Sequence, residues 1–256
     1  MSSERLVHCN GVGKAFQIYA QYDDRLWQVL LGRFKRFYKE YWVLRDVNLE
    51  LRRGDCLGII GRNGVGKTTL LQMICGIMKP TCGNIYTNGR IAPVLALGAG
   101  FDGDLTGREN ALIGGAILGQ RRSEILSKLE SIAEFAGIGD FFDRPAKFYS
   151  SGMFARLAFA ICAHVNADIL IVDEALAVGD ELFRRKCLDF LAGFRRRGAI
   201  LFASHDMNTV ASLCDRAIWV DQGRLRANGD PASVVNSYHA ALLNKTDDGS
   251  RFHISN

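Results

Sequence analysis

The 256-residue sequence has no apolar run approaching the roughly 20 residues that a membrane-crossing helix needs. Its opening stretch, M-S-S-E-R-L-V-H-C-N, has no apolar segment of the kind that directs secretion. There are only four prolines and no low-complexity tract, which argues against a long disordered linker and for one compact unit. None of the seven cysteines forms a C-x-x-C pair or stands beside histidine at metal-ligand spacing. They read instead as reduced thiols of an apolar core. The formal net charge of +5 is mild and gives no nucleic-acid footprint, so no nucleic-acid partner is expected. Hydrophobic residues at 48% and charged residues at 23% are ordinary for a soluble globular chain.

Against this plain background one string stands out, C-L-G-I-I-G-R-N-G-V-G-K-T-T-L-L at Cys56–Leu71. A short apolar strand runs into Gly61-Arg-Asn-Gly-Val-Gly-Lys-Thr68 and then into a helix-forming segment, the context that a G-x-x-x-x-G-K-[ST] phosphate loop requires. Glycine at 61, 64 and 66 lets the backbone curl so that successive N–H groups face phosphate oxygens. The helix N-terminus adds its positive dipole end. The candidate nucleotide contacts are therefore Gly61, Asn63, Gly64, Val65, Gly66, Lys67, Thr68 and Thr69. Lys67 is placed to reach the β- and γ-phosphates and Thr68 to offer its hydroxyl to Mg²⁺.

Later in the chain, Ala167-Asp-Ile-Leu-Ile-Val-Asp-Glu174 reads as a buried parallel strand ending in two acids. An adjacent buried acid pair is costly without a cation. Asp173 is the expected second Mg²⁺ ligand, and Glu174 the group that polarises an attacking water. A third apolar run, Ala199-Ile-Leu-Phe-Ala-Ser-His205, closes another parallel-strand pattern and points His205 toward the same γ-phosphate.

Tyr149-Ser-Ser-Gly-Met153 narrows the choice among phosphate-loop proteins. It resembles the L-S-G-G-Q signature of ATP-binding-cassette (ABC) ATPases, agreeing at Ser150 and Gly152. Four strings resemble more closely the ATPases of polysaccharide and teichoic-acid exporters: L-G-A-G-F-D-G-D-L-T-G-R-E-N (97–110), Y-S-S-G-M-F-A-R-L-A-F-A (149–160), D-E-A-L-A-V-G-D (173–180) and S-H-D-M (204–207). The resemblance implies an α/β fold, a RecA-like phosphate-loop core with an antiparallel β subdomain and an inserted α-helical subdomain at about 106–165. It implies ATP with Mg²⁺, and a head-to-tail homodimer in which Ser151, Gly152 and Met153 contact the nucleotide of the other copy. Ala175–Asp180 resembles the loop through which paired sites communicate. It further implies an integral-membrane transporter partner, a lipid-linked glycan as cargo, and a place on the cytoplasmic face of the cell membrane. The alternative is a soluble or regulatory ATPase of the same type with no membrane partner.

Two positions depart from the family pattern. No glutamine lies between Thr87 and Asn110, where the family's Mg²⁺-sensing residue would fall near Ala96. Met153 replaces the signature's terminal glutamine, so any contact there is apolar or through backbone. For the adenine ring, the family's aromatic after an early lysine corresponds to Phe16, with Tyr19 as substitute; the competing reading is an ordinary strand aromatic.

Residues 21–41 look like an insertion. Projected at 100° per residue, Leu26, Trp27, Leu30, Leu31, Phe34, Phe37 and Tyr38 share one face, with Arg25, Gln28, Lys35, Arg36 and Lys39 opposite. An amphipathic helix at about 23–40 is expected, either packed on its own domain or facing the membrane partner or the cargo's anionic head. A single cassette is expected over 1–243, with a short helix from Pro231 to about Leu243. A polar tail (244–256) and no carbohydrate-binding domain are expected beyond it.

Overall fold

The structure is a computed structural model that describes residues 4–21, 23–31, 36–94, 100–173 and 180–250, with the side chains of residues 30 and 244–250 left aside. Its centre is a six-stranded sheet built from β3 (Cys56–Ile60), β5 (Ile91–Val94), β6 (Ile169–Asp173), β7 (Ala199–Ala203), β8 (Arg216–Asp221) and β9 (Arg224–Gly229). The order across it is β5-β6-β7-β3-β8-β9, parallel throughout except that β9 folds back antiparallel on β8. A separate antiparallel sheet joins β1 (Arg5–Ile18), β2 (Lys39–Arg52) and β4 (Cys82–Thr87) in the order β2-β1-β4. The helices are α1 (Asp24–Leu31), α2 (Lys67–Ile74), α3 (Gly107–Ile117), α4 (Arg122–Leu126), α5 (Leu129–Ala136), α6 (Ser151–His164), α7 (Glu181–Phe194), α8 (Met207–Leu213) and α9 (Pro231–Ser250).

The near-continuous apolar runs of β3, β6 and β7 follow from burial on both faces. Alternation along each strand divides its side chains between two cores. Ile60, Leu170, Val172, Ile200 and Phe202 point to one, which Phe159 of α6 and Phe183 and Leu191 of α7 complete. Leu57, Ile59, Ile169, Ile171 and Leu201 point to the other, shared with Leu70 and Leu71 of α2 and with Leu6, Val7 and Leu44 of the antiparallel sheet. A third apolar cluster joins α3, α4, α5 and α6 through Ala111, Ile125, Leu129, Ile132, Leu157 and Ile161. Its first helix begins at a capping box, with Thr106 accepting from the Glu109 amide and Glu109 reaching back to Thr106.

Three elements differ from expectation. Of the helix expected over about 23–40, the described residues carry α1 at Asp24–Leu31, and Lys39 already belongs to β2, paired with Ile18. Tyr41, Trp42 and Val43 favour a strand, and β1 offers a full-length partner for them. The helical spacing of Ile125, Leu129, Ile132 and Phe135 predicts one helix over 123–136, and it is broken into α4 and α5. Ser127 Oγ donates to the Glu124 carbonyl at 2.9 Å, and Lys128 Nζ is drawn to the His164 carbonyl at 2.7 Å. Helix α9 runs past Leu243 to Ser250, since no proline interrupts that stretch. On α1, Leu26, Trp27, Val29 and Leu31 all stay exposed, so these side chains do not pack into the described part of their own domain.

Candidate nucleotide site

The chain leaves β3 at Ile60 and turns through glycines that admit no side chain. Gly61 has φ 153° and a Cβ there would stand 2.5 Å from the Val220 carbonyl oxygen; Gly66 has φ 106° and would meet Val43 Cγ1 at 2.9 Å. Gly66 is also the N-cap of α2, and no side chain caps that helix, so its first amides are donors available to an anion. Lys67, only 6% exposed, lies in the first turn. Its ammonium donates to the carbonyls of Gly61 at 2.7 Å and Arg62 at 3.3 Å. A cleft of about 330 Å³ opens here, lined by Val43, Asn63, Gly64, Gly66, Lys67, Thr68 and Thr69. Of the expected contacts, Val65 lines instead a neighbouring cleft of about 490 Å³, which Tyr41, Trp42, Arg62 and Asp221 also border.

The carboxylate arrives from across the sheet. Asp173 ends β6, and Thr68 Oγ1 donates to its Oδ2 at 2.7 Å, spanning β7. This hydroxyl and carboxylate are hard oxygen donors, the chemistry that suits Mg²⁺. No cluster of three histidine, cysteine, aspartate or glutamate side chains accompanies them among the described residues. A metal held by this pair would have room for phosphate and water ligands, which Mg²⁺ usually keeps. His205 is exposed two residues beyond the end of β7, on the same edge of the sheet. The next residue, Asp206, caps α8 by accepting from the Asn208 and Thr209 amides. Phosphate loop, Asp173 and His205 therefore meet at the C-terminal ends of β3, β6 and β7, where parallel sheets bind ligands. Glu174 and Ala96 lie outside the described residues.

The signature turn opens α6. Ser150 is its N-cap, accepting from the Met153 amide at 3.1 Å, and Ser151, Gly152 and Met153 form the first turn. The sequence behind the signature predicts a helix over 153–165, and α6 begins two residues earlier because Ser150 caps it. Met153 packs against the third apolar cluster, which accounts for a thioether where a glutamine is usual. None of these residues lines the phosphate-loop cleft.

Phe16 is 37% exposed on β1, directly across from Tyr41, with Lys14 Nζ 5.3 Å from its ring centre. It stands outside both cleft linings. Tyr19 is engaged edge-on with Tyr38 at 5.9 Å. Sequence reasoning missed Tyr41, Trp42 and Val43. A β-bulge explains Val43: Lys14 pairs with Leu44 but Ala15 with Trp42, and the extra residue is free to turn toward the loop. Two aromatics and a β-branched residue in a row were the available strand signal.

A sheet flanked by helices, with a phosphate loop and an acid-ended strand converging on one edge, defines a phosphate-loop nucleotide-binding cassette. Residues 44–177 match the family described as ABC transporter, and the chain belongs to that family. Similar curated proteins include the ABC transporter protein AbcA of Aeromonas salmonicida, 46% identical over 98% of this chain and 81% of its own length. The O-antigen export system ATP-binding protein RfbB of Klebsiella pneumoniae is 41% identical over 90% of this chain and 92% of its own. The teichoic acids export ATP-binding protein TagH of Listeria monocytogenes is 40% identical over 89% and 68%. A solved dimeric ATP-binding cassette in a post-hydrolysis state with ADP and Pi shares the fold, with a TM-score of 0.73 at 19% identity over 88% of this chain and 99% of that one. The chain is thus an ATP-binding cassette ATPase by family, built on an α/β fold with one antiparallel and one mixed sheet.

Proposed function

We propose that this chain hydrolyses ATP to drive export of a lipid-linked cell-surface polysaccharide. In this reading it works as a single cassette over 1–243, paired head to tail with a second copy. The pair sits on the cytoplasmic face of the cell membrane, beneath a separate integral-membrane partner. No helix among the described residues is long and apolar enough to cross a membrane, so a partner would have to form the passage. The export assignment is supported by what the relatives are named for. The hydrolytic assignment is carried by the hydrogen bond between Thr68 and Asp173, which sets a hydroxyl and a carboxylate at the mouth of the phosphate loop.

Each residue then has a task. The loop amides and Lys67 bind and orient the phosphates, with the lysine countering their charge. Thr68 and Asp173 would hold Mg²⁺, which when bound neutralises charge between the β- and γ-phosphates. Glu174 accepts the proton of the attacking water and His205 orients the γ-phosphate. The base rests on Phe16, which faces Tyr41 across the antiparallel sheet. Ser151, Gly152 and Met153, with the amides opening α6, meet the γ-phosphate of the partner copy's ATP. The helical region at about 106–165 couples to the membrane partner.

The decisive test is to tag the chain, extract native membranes gently with ATP present, and identify what co-purifies. A polytopic membrane protein is expected. Recovery only in the soluble fraction, alone or with ribosomes or DNA, would replace export with a soluble or regulatory role. Glu174→Gln should retain ATP, lose hydrolysis and accumulate the paired form. Undiminished turnover would remove Glu174 from its task.

A further inference from the structure

The parallel strands of the large sheet have two ends, and the nucleotide site uses only one of them. At the other, a cleft of about 660 Å³ opens, lined by Arg90, Glu124, Asn166, Ala167, Asp168 and Arg197. Arg90 immediately precedes β5, Asp168 immediately precedes β6, and Arg197 stands two residues before β7. No residue of the phosphate loop borders this cleft.

Its hydrogen-bonding groups are unbalanced toward donors. Asp168 is already engaged, its Oδ1 accepting from Arg53 Nη2 at 3.1 Å and its Oδ2 from the Arg90 amide at 3.0 Å. Asn166 Oδ1 accepts from Lys128 Nζ at 3.0 Å, which leaves the amide nitrogen as the end with donors to spare. Glu124 Oε2 accepts from the Arg121 amide at 2.9 Å. The two exposed guanidinium groups are almost unused by comparison. Arg90 makes one long bond, from Nη1 to the Asn166 carbonyl at 3.4 Å, and Arg197 lies 5.1 Å from the centre of the Phe194 ring. Neither side chain has a carboxylate partner among the described residues. Each guanidinium carries five N–H donors, so acceptors are what the cleft lacks. Helices α6 and α7 end nearby, and the last carbonyls of a helix attract cations. That need is met by other groups: Lys128 Nζ reaches the His164 carbonyl at 2.7 Å, and the amides of residues 195–198 bond the carbonyls of Leu191, Gly193 and Phe194. Arg90 and Arg197 are spare.

We propose that this cleft is a second anion site, which takes a phosphate monoester between the guanidinium groups of Arg90 and Arg197, with the Asn166 amide as a further donor. Planar guanidinium forks match phosphate oxygens and bind them by charge-assisted hydrogen bonds. The remaining oxygen of Glu124 accepts from a hydroxyl and repels additional negative charge, so a phosphate borne on a polyol or sugar fits better than a polyphosphate. A soluble sugar phosphate and a phospholipid headgroup both present that group. Because the site lies at the opposite ends of the strands from Lys67, it binds independently of the phosphate loop, and the proposal does not rest on the ATPase reading.

The test uses the purified full-length chain with ADP and Mg²⁺ present to occupy the phosphate loop. Glucose 1-phosphate is titrated by calorimetry, and vesicles of phosphatidylcholine containing phosphatidate, whose headgroup is a phosphate monoester, are tested by co-sedimentation. Saturable binding of at least one probe is expected. Arg90→Gln and Arg197→Gln should each weaken it about tenfold, the scale for losing a hydrogen bond to a charged group, and the double variant should abolish it. Arg90→Lys and Arg197→Lys should fall between, since they keep the charge and lose the fork. Lys67→Ala should leave it unchanged. Thermal unfolding of all the arginine variants should stay near wild type, because both side chains are exposed. Binding of glucose 1-phosphate identifies a soluble ester as a ligand, and binding of the vesicles alone identifies a lipid headgroup. No saturable binding of either probe below about 10 mM phosphate would overturn the proposal. So would binding that survives the double arginine variant, or binding that Lys67→Ala removes.

Discussion

The two sheets of this molecule meet the outside world in opposite ways. At the C-terminal edge of the six-stranded sheet, the central strands β3, β6 and β7 are buried on both faces and the functional groups emerge at their ends and in the loops that follow. At the far end of the antiparallel sheet, where β1 gives way to α1 and β2 begins, large apolar side chains stand in solvent: Val29 is 83% exposed and Leu26 63%. The first edge brings the phosphate loop and Asp173 together within one chain. The second exposes apolar area that a folded chain ordinarily covers. The contrast separates chemistry, which needs rigid placement, from docking, which needs an accessible surface.

The sharpest break of this comparison is Lys67→Ala. The ammonium is nearly enclosed by the loop and stands where the phosphates would sit. Its loss should lower ATP turnover by about a hundredfold or more, the scale for removing one preorganised electrostatic group. A phosphate-release assay on the purified chain checks it, with circular dichroism to show that the fold survives. Turnover within a few-fold of wild type would mean that the rigid edge is not where the chemistry occurs.

A second break tests the rigidity itself. Phe159 of α6 lies fully buried, with ring centres 6.0, 6.1 and 5.9 Å from those of Phe135, Phe183 and Phe190. Phe159→Ala should cost about 3–5 kcal/mol, as large-to-small changes at well-packed aromatic sites do. Denaturant unfolding would show a fall in midpoint. A loss below about 1 kcal/mol would mean that this core collapses around the gap.

How far each region was legible in the sequence follows the same division. The phosphate loop announces itself because the backbone at Gly61 and Gly66 tolerates no other residue and because a strand and a helix must flank it. Strands β3, β6 and β7 were legible for a related reason, since burial on both faces makes their apolar runs continuous. The start of β2 was not. Over so short a stretch, Phe37, Tyr38, Tyr41 and Trp42 fit a helical period about as well as a strand, and what decides is pairing with Gln17 and Ile18, some twenty residues away. The 2.7 Å ion pair between Arg156 of α6 and Asp180, the cap of α7, was illegible for the same cause: a contact between separate helices leaves no spacing rule behind. Met153 lies between these cases. The sequence shows a departure from the signature, and the apolar cluster behind it shows why a thioether fits.

The smallest effect on stability should come from the exposed end, and that is what makes it informative. Leu26→Ser with Val29→Ser removes apolar side chains that have little of their own domain to lose, so folding stability should change by no more than about 0.5 kcal/mol. ATP turnover by the isolated chain should be unchanged as well, because neither residue lines a cleft at the phosphate loop. Recovery with native membranes should nonetheless fall, since the surface being altered is the one left uncovered in the chain alone. Fractionation of tagged wild-type and double-variant protein, side by side with their unfolding curves, distinguishes the two uses of the helix. Lower stability with normal membrane recovery would show that α1 serves its own domain after all. Normal stability with lost recovery would mark α1 as a docking element, and the two ends of the molecule as divided between catalysis and attachment.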